Sequence, residues 1–585
     1  MKTLNKFRKR NIQTNIAHFL LVIFVVAVSV CLITGLFISH LTLKNAVDNF
    51  YVNSNLPNLW IETDLVSAED EKFFEDFDYG KRYVFNTSFD VAGKKYDSKV
   101  LVSDGKISTP YLVEGDKGKG CYIDSKFIDK YKLGINYSII SFDYAYAGET
   151  RKLSFQVLGS MSMAEDLIVD DECVIFIDET MFVEAIKAAF PEEDHIDLNE
   201  IDYNQILISS EITNDDISSI ERYYQNSTSK LIKMYGNEQI VSFKVVEEEI
   251  KISQLMLWTF PLLFITVAIL VVISTISDLV SKEGYNIGLL KSLGVKNREI
   301  LSNYCGYGVF MCLFGSIIGV VFSPLVVPNM TFETYDVIMN LPRDEVKMLF
   351  PFSLVAAIVL TSIIIGYFSS FFVCLNMIFK TPKDCMQRKR KIKIKSRKKS
   401  KNRFGKIGSA FKNMQINATR TAMSVVGIAG CALLGVIGFG LDFREGFIKT
   451  NKFLSLETFL NIFQVFSVVI LVLTIFILSM QIFKERVREM AMLRINGESY
   501  LNVWLSMVLE ILVVAIIGYL FAGALCYPIL ILMLKLFSVS GGVYISFAGF
   551  WKTFLMIMIF VAMVGCLAII KIKKINLADS TKISE

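Results

Sequence analysis

Long apolar runs separated by short polar segments fill most of the chain, and their lengths set the first expectation. The runs lie at 17–41 (TM1), at Met256 to Leu279, Leu301 to Val326 and Phe350 to Phe379 (TM2–TM4, 256–379), at 421–441 (TM5), and at Thr458 to Phe483, about Val503 to Phe537 and Phe550 to Ile570 (TM6–TM8, 458–570). Each is long enough for the roughly 20 residues that cross a bilayer core. They predict a polytopic α-helical membrane protein of eight transmembrane helices, the seventh with a kink or loop at its end. One stretch breaks the pattern. Residues 42–252 carry short runs of strand character, such as Leu153 to Gly159 and Val174 to Ile177, divided by Gly, Asp and Asn turn signals, with helical patterns at Ser125 to Tyr131, Glu179 to Ala189 and Asp215 to Tyr224. This reads as one α+β extracytoplasmic domain between helices 1 and 2, held by two stalk helices, Leu41 to Leu56 and Val245 to Leu255. Asn329 to Lys347 and residues 442–457 read as outer loops.

Composition turns that pattern into a topology. With 53% hydrophobic residues, 20% charged residues and a mean hydropathy of +0.47, the chain is too apolar for a soluble protein of this size. Net charge is only +4, yet the basic residues cluster in a tail at 1–16, a linker at 380–418 containing Arg388-Lys389-Arg390-Lys391 and Arg397-Lys398-Lys399, and a tail at 571–585. Lys and Arg beside spans stay cytoplasmic, so both termini are expected inside and the acidic domain outside; the Lys-, Ile- and Asn-rich usage points to a bacterial cytoplasmic membrane. The linker lacks the aromatic interleaving of a nucleic-acid reader, which leaves topology and contact with anionic lipid. The first apolar run is too long for a secretory signal and has no small-x-small cleavage site, so it is expected to remain as a span. Trp258 and Trp551 fall near outer span ends and Trp504 near an inner one, where indoles favour the interface.

A short polar segment occurs twice between spans: Tyr285 to Gly294 within 281–297, and Arg488 to Gly497 within 484–500. Setting Gly294 on Gly497 also sets Lys291 on Arg494 and Leu290 on Leu493, and in the next span Gly315 falls on Gly518, 21 residues beyond Gly294 and Gly497 respectively, and Gly319 on Ala522. A fixed-offset repeat points to two equivalent halves. Small residues mark helix contacts as well: Gly315 and Gly319 form a GxxxG, and Gly427, Cys431, Gly435 and Gly438 recur on one face of the fifth span.

Candidate chemistry is sparse. No G-x-x-x-x-G-K-[ST] loop is present, and Gly115 to Gly120 is Gly- and Lys-rich with the wrong spacing. His18, His40 and His195 are far apart in sequence and suggest neither a metal triad nor a Ser-His-Asp relay. The ten cysteines form no CxxC pair, and Cys121 and Cys173 read as two free buried thiols, with a disulfide between them, unsupported by spacing, as the alternative. Glu510 is the clearest intramembrane charge, and its counterpart in the first half is Tyr307, so no ion relay is evident. An enzyme, or an ion-coupled carrier with broken midplane helices, has no positive support.

At the repeated segments the chain resembles the FtsX-like permeases of ABC transporters, the MacB and LolC/LolE group, whose signature is R-E-x-x-x-L-R-x-x-G on a cytoplasmic helix between two spans. Arg488, Glu489, Leu493, Arg494 and Gly497 match it. In the first copy Leu290, Lys291 and Gly294 fit, while Tyr285 and Asn286 replace the Arg-Glu pair. Lys412 to Thr421, leading into a Gly-rich run, is similar to the family's entry to its first span, and the placement of the outer domain is similar to that in MacB. The resemblance implies two four-helix FtsX-like repeats whose segments, Asn286 included, couple to a separate ABC ATPase. It implies two copies of that ATPase, which bind ATP and Mg while this chain holds no cofactor, and a permease acting alone or with one similar chain. The function implied is export or removal of a peptide, antibiotic or lipid-like substrate. The alternative is a mechanotransmitting or signalling subunit that controls a cell-wall hydrolase or a sensor kinase through a partner of the outer domain.

Overall fold

The computed structural model describes residues 12–13, 16–91, 94–116, 118, 120–132, 139–146, 148–168, 173–191, 201–386, 418–443, 454–495, 497, 499–536 and 543–573. The basic tails before 12 and after 573, the linker residues 387–417, His195 and most of the loop at 442–457 lie outside them. The chain divides into two units. One comprises His40–Ser253 with Phe332–Leu349, and the other Met1–Ser39, Gln254–Thr331 and Phe350–Glu585.

The first unit is built on a ten-stranded mixed sheet. Its strands are β1 (Leu59–Thr63), β2 (Tyr79–Val91), β3 (Lys94–Ser103), β4 (Tyr111–Gly115), β5 (Cys121–Asp124), β6 (Ile139–Tyr146), β7 (Glu149–Ser162), β8 (Cys173–Asp178), β9 (Gln205–Ile208) and β10 (Leu231–Gly236). They run in the order β10-β1-β9-β2-β3-β8-β5-β7-β4, with β6 on β7. β8 pairs parallel with β3, and β5 parallel with β7.

Local sequence explains the strands. Along β7, Leu153, Phe155 and Val157 are buried while Ser154 and Gln156 between them are exposed, the period of two of a half-covered strand. β8 is apolar from Cys173 to Ile177 because both its faces are covered: Cys173, Ile175 and Ile177 enter one core cluster, Val174 and Phe176 the other. Cys121 and Cys173 are free and fully buried, and burial pushes both thiols up. A buried polar network crosses the sheet. Arg82 pairs with Glu165 and donates to Gln205 at 2.7 Å, and Trp60 Nε1 donates to Glu165 at 3.0 Å. Burial raises the Glu165 carboxyl, but the Arg82 charge more than offsets this and holds it at about 2.

The helices of this unit include α1 (Ile16–Asn53) in its final turns, α2 (Ala68–Phe73), α3 (Ser125–Tyr131), α4 (Glu179–Ala189), α5 (Asn214–Asn226) and the beginning of α6 (Val241–Lys282). α2 and α5 start in capping boxes, Ser67 with Asp70 and Thr213 with Asp216. Asn329 to Lys347, expected as an outer loop, is largely helical. The helix that begins at Asn297 runs on to Ile338, and Tyr335 and Met339 pack with Val47 and Phe50 of α1 and Val246 of α6. That apolar face supplies the burial that carries the helix on past the polar residues of the loop. Three long helices therefore contribute to the first unit where the sequence suggested two.

Among its described residues the second unit is helical apart from short connections and one short ribbon. After α6 come α7 (Gly284–Ser292), α8 (Asn297–Ile338), α9 (Phe352–Ile378), α10 (Pro382–Met386), α11 (Ala418–Gly440), α12 (Leu454–Ile495), α13 (Tyr500–Leu536) and α14 (Phe547–Lys573). Strands β11 (Leu441–Phe443) and β12 (Val543–Ile545) pair as an antiparallel ribbon. Among the described residues six helices are long and apolar enough to cross a membrane, and Ser424–Gly440 and Asn461–Ile477 are shorter apolar stretches where the fifth and sixth spans were expected. The chain is a multi-pass membrane protein.

Candidate functional site

The two repeated segments have a common architecture. In the first, α6 ends at Lys282, Glu283 breaks the helix and α7 follows. Glu283 accepts a hydrogen bond from Tyr304 of α8 at 2.5 Å, which ties the break to the next long helix. α7 closes in a Schellman turn: Gly294 N–H donates to Lys291 O at 3.1 Å and Val295 N–H to Leu290 O at 3.1 Å, with Gly294 at φ +83°. In the second copy Gly497 takes φ +90° and donates to Arg494 O at 3.1 Å. Both sequence glycines thus hold the left-handed position that stops the helix.

The inward faces correspond too. Ile287 and Gly288 are buried in the first copy, Met490 and Ala491 in the second, the pairs matched by the glycine register. Outward, Tyr285, Leu289 and Leu293 are 58%, 41% and 71% exposed and recur every fourth residue, so they form one apolar stripe. Asn286 is exposed, and Leu290 and Lys291 are half-buried. Near the end of the second copy Ile495 stands exposed, as do Tyr500 and Leu501 just beyond it, and the Arg494 guanidinium stacks on Tyr500 at 3.6 Å. The side chains of Arg488, Glu489 and Leu493 lie outside the described residues.

The copies differ where their sequences do. The first is a separate helix, whereas the second continues α12 without a break to Ile495. Gly284 at the break is replaced by Val487 in the second register, and glycine is the weaker helix former. A neighbour not anticipated from sequence is α10, placed where a basic linker was expected. Gly288 leaves no room for a Cβ against Met386 and Cys385, and Lys291 Nζ donates to Lys380 O at 2.8 Å. The start signal was present in Thr381-Pro382-Lys383-Asp384, with Thr381 Oγ1 accepting from Asp384 N at 3.2 Å.

The packing glycines connect these segments to the helices that follow them. A Cβ on Gly315 would sit 2.7 Å from Val26 Cβ and 3.0 Å from Ile23 O of α1; one on Gly518 would sit 3.0 Å from Ile428 Cβ and 3.1 Å from Val425 O of α11. The contacted residues are three apart in both cases, so the third helix crosses the first in the same way in each half. Gly319 continues the first crossing, its Cβ position 2.9 Å from Val30 Cβ. On α11 the small residues serve two neighbours: Gly435 abuts Thr553 of α14, and Gly438 abuts Phe463 of α12. Gly427 is buried. Glu510 and Tyr307, equivalent in register, are both buried. Trp504 donates to Gly565 O at 2.7 Å and so joins α13 to α14. His40 shares a 2.6 Å hydrogen bond with Ser253.

The two halves thus share one plan, a capped interhelical segment followed by a long apolar helix with a packing glycine. The model of the FtsX-like permease C-terminal family matches residues 258–382 and 461–577, each match containing one of the segments. The chain carries two FtsX-like permease units. No curated protein matches the sequence. Among solved structures, the extracellular domain of the noncanonic ABC-type transporter YknZ from Gram-positive bacteria is similar at 11% identity and a TM-score of 0.20, over 30% of this chain and 99% of that one.

Proposed function

We propose that this chain is the permease subunit of a bacterial ABC transporter, with eight spans, both termini in the cytoplasm and the sheet domain outside. A separate ATPase, in two copies, binds ATP and Mg and docks on the two capped segments. The reading rests above all on the equivalence of those segments: each buries the same inner pair, stops at a left-handed glycine and leaves apolar side chains exposed beside it. Exposed apolar side chains on a short helix between spans are suited to a groove on a partner. Asn286, Leu290, Lys291 and Gly294 serve the first contact, and Arg488, Glu489, Leu493, Arg494 and Gly497 the second. The cargo class is a peptide, antibiotic or lipid-like molecule handled at the sheet domain.

One observation favours a mechanical component. α8 begins at Asn297, just after the Gly294 turn, and runs unbroken to Ile338. Directly after it, Asn340 is fixed in the sheet-domain unit, donating to Leu167 O at 2.6 Å and accepting from Ser125 Oγ at 2.7 Å. α8 carries Pro324 and Pro328 inside it, and in this reading it passes displacement of the segment along its length. The signalling alternative uses the same path with a protein partner in place of cargo.

The test is co-purification of the chain with an ABC-type ATPase and measurement of coupled hydrolysis for Leu289→Asp, Leu293→Asp, Glu489→Lys and Leu493→Asp. Each is expected to lower association or coupled hydrolysis about tenfold, the effect of losing one good interface contact. Variants that insert normally and keep both properties would overturn the docking assignment.

A further inference from the structure

The sheet-domain unit contains a cavity of about 410 Å³ that the coupling reading does not use. Its floor is apolar: Met161, Phe176 and Tyr122 are 1%, 6% and 7% exposed and belong to one core cluster, with Leu112 packed beside them. The charged groups among its described lining residues are both carboxylates, Asp104 and Asp178. Tyr122 has its hydroxyl engaged, accepting from Gly118 N at 3.0 Å and donating to Gly118 O at 2.7 Å, so the floor presents ring rather than hydroxyl.

Among the described residues, neither carboxylate is paired with a buried cation. Asp178 caps α4, accepting from Thr180 N at 3.0 Å. Asp104 accepts from Lys106 N at 3.1 Å and meets Lys106 Nζ at 2.9 Å, but that lysine side chain is 83% exposed. An exposed pair of this kind contributes little and is readily exchanged. The cavity is also joined to the end of α1. The loop that forms its rim donates from Ser108 N to Asn55 O at 3.0 Å and from Thr109 N to Ser54 O at 2.8 Å, and Tyr111 meets Phe50 edge-on at 6.0 Å.

We propose that this cavity is a binding site for a cationic amphipathic ligand, a primary ammonium or guanidinium carried on an apolar body, as in a basic amphipathic peptide. The apolar body lies on Phe176, Met161 and Tyr122, and the cation reaches Asp104 and Asp178, displacing Lys106 from the former. The proposal rests on the transport reading and names its substrate class. Occupancy also bears on α1 through the rim loop.

The experiment uses the full chain in nanodiscs of zwitterionic lipid, without nucleotide or ATPase. The probes are a fluorescein-labelled Lys-Leu-Lys-Trp-Leu-Lys peptide and its counterpart with Glu in place of Lys, read by fluorescence anisotropy. The basic peptide is expected to bind at least about tenfold more tightly than the acidic one, and Asp104→Asn and Asp178→Asn each to weaken it about tenfold, as loss of one charge-assisted contact implies. Asn keeps the turn at 104 and the cap at 178, so both variants should fold, as thermal unfolding will verify. In the unmodified chain, raising salt should weaken binding, a readout that needs no variant. Equal binding of the two peptides, or unchanged binding by the double variant, would overturn the site. Intact selective binding with no coupled hydrolysis in the presence of an ABC-type ATPase would support the site and refute the ATPase reading instead.

Discussion

Gly294 offers a perturbation whose cost can be worked out from backbone geometry alone. It sits at φ +83°, and a Cβ built there meets nothing within 4 Å. Gly294→Ala therefore adds no clash and removes no contact. It adds only the strain of a left-handed L-residue, about 1–2 kcal/mol, which shifts a local equilibrium by a factor of about 5–30. The strain falls on the Schellman turn, whose amides donate from Gly294 to Lys291 and from Val295 to Leu290, both at 3.1 Å. Native-state hydrogen exchange should show these two amides exchanging about 5–30-fold faster in Gly294→Ala, and substantially less so in Gly294→Asn, since Asn tolerates this conformation. Gly497→Ala should behave alike, because Gly497 is at φ +90° with nothing within 4 Å. If the Ala variant exchanges like the unmodified chain, or if Ala and Asn are equally disruptive, the turn is not what holds the segment and the equivalence of the two copies loses its main support.

Two further expectations concern packing and protonation. Gly315→Leu and Gly518→Leu should each destabilise the helical unit by about 1–3 kcal/mol through overpacking, because the first added carbon already lies 2.7 Å from Val26 Cβ and 2.9 Å from Ile428 Cγ2 respectively. Thermal unfolding in detergent reads this, and an unchanged midpoint for both would refute the crossing. Burial, aided by the Glu248 charge, pushes the Glu249 carboxyl from 4.5 up to about 8. The folded state thus holds this proton more tightly than the unfolded one, so the contribution is full below about pH 4.5 and is lost as pH rises toward 8. The unfolding midpoint of the sheet-domain unit should fall across that window, and Glu249→Gln should flatten the dependence; superimposable profiles would refute it.

Much of this protein could be read along the chain. Apolar runs marked the six described helices that are long and apolar enough to cross a membrane, and the glycine register that matched Gly294 to Gly497 also matched their φ values, since both occupy the one backbone position where a Cβ is costly. Strand β7 followed from its alternation. The chain did not reveal the third long helix of the sheet-domain unit. Tyr335 and Met339 are scattered among Thr331, Glu333 and Asp336, and only the presence of Phe50 and Val246 opposite them makes their spacing a buried helical face. Nor was α10 anticipated, because five residues beside a basic run carry too little periodicity to register, although Thr381 and Pro382 supply a start signal.

Sequence by itself determined the class of protein, the duplication and the helix stops, because these depend on solvation of apolar length and on single-residue backbone preferences, both local properties. Tertiary structure decided which residues meet across long separations. Trp60, Arg82, Glu165 and Gln205 form one buried network, Asp104 and Asp178 share a cavity with Phe176, and Gly315 and Gly518 turn out to face corresponding residues of different helices. The physical reason is that strand order, register and helix crossings are chosen by the free energy of the whole packed chain, which no window of neighbouring residues contains.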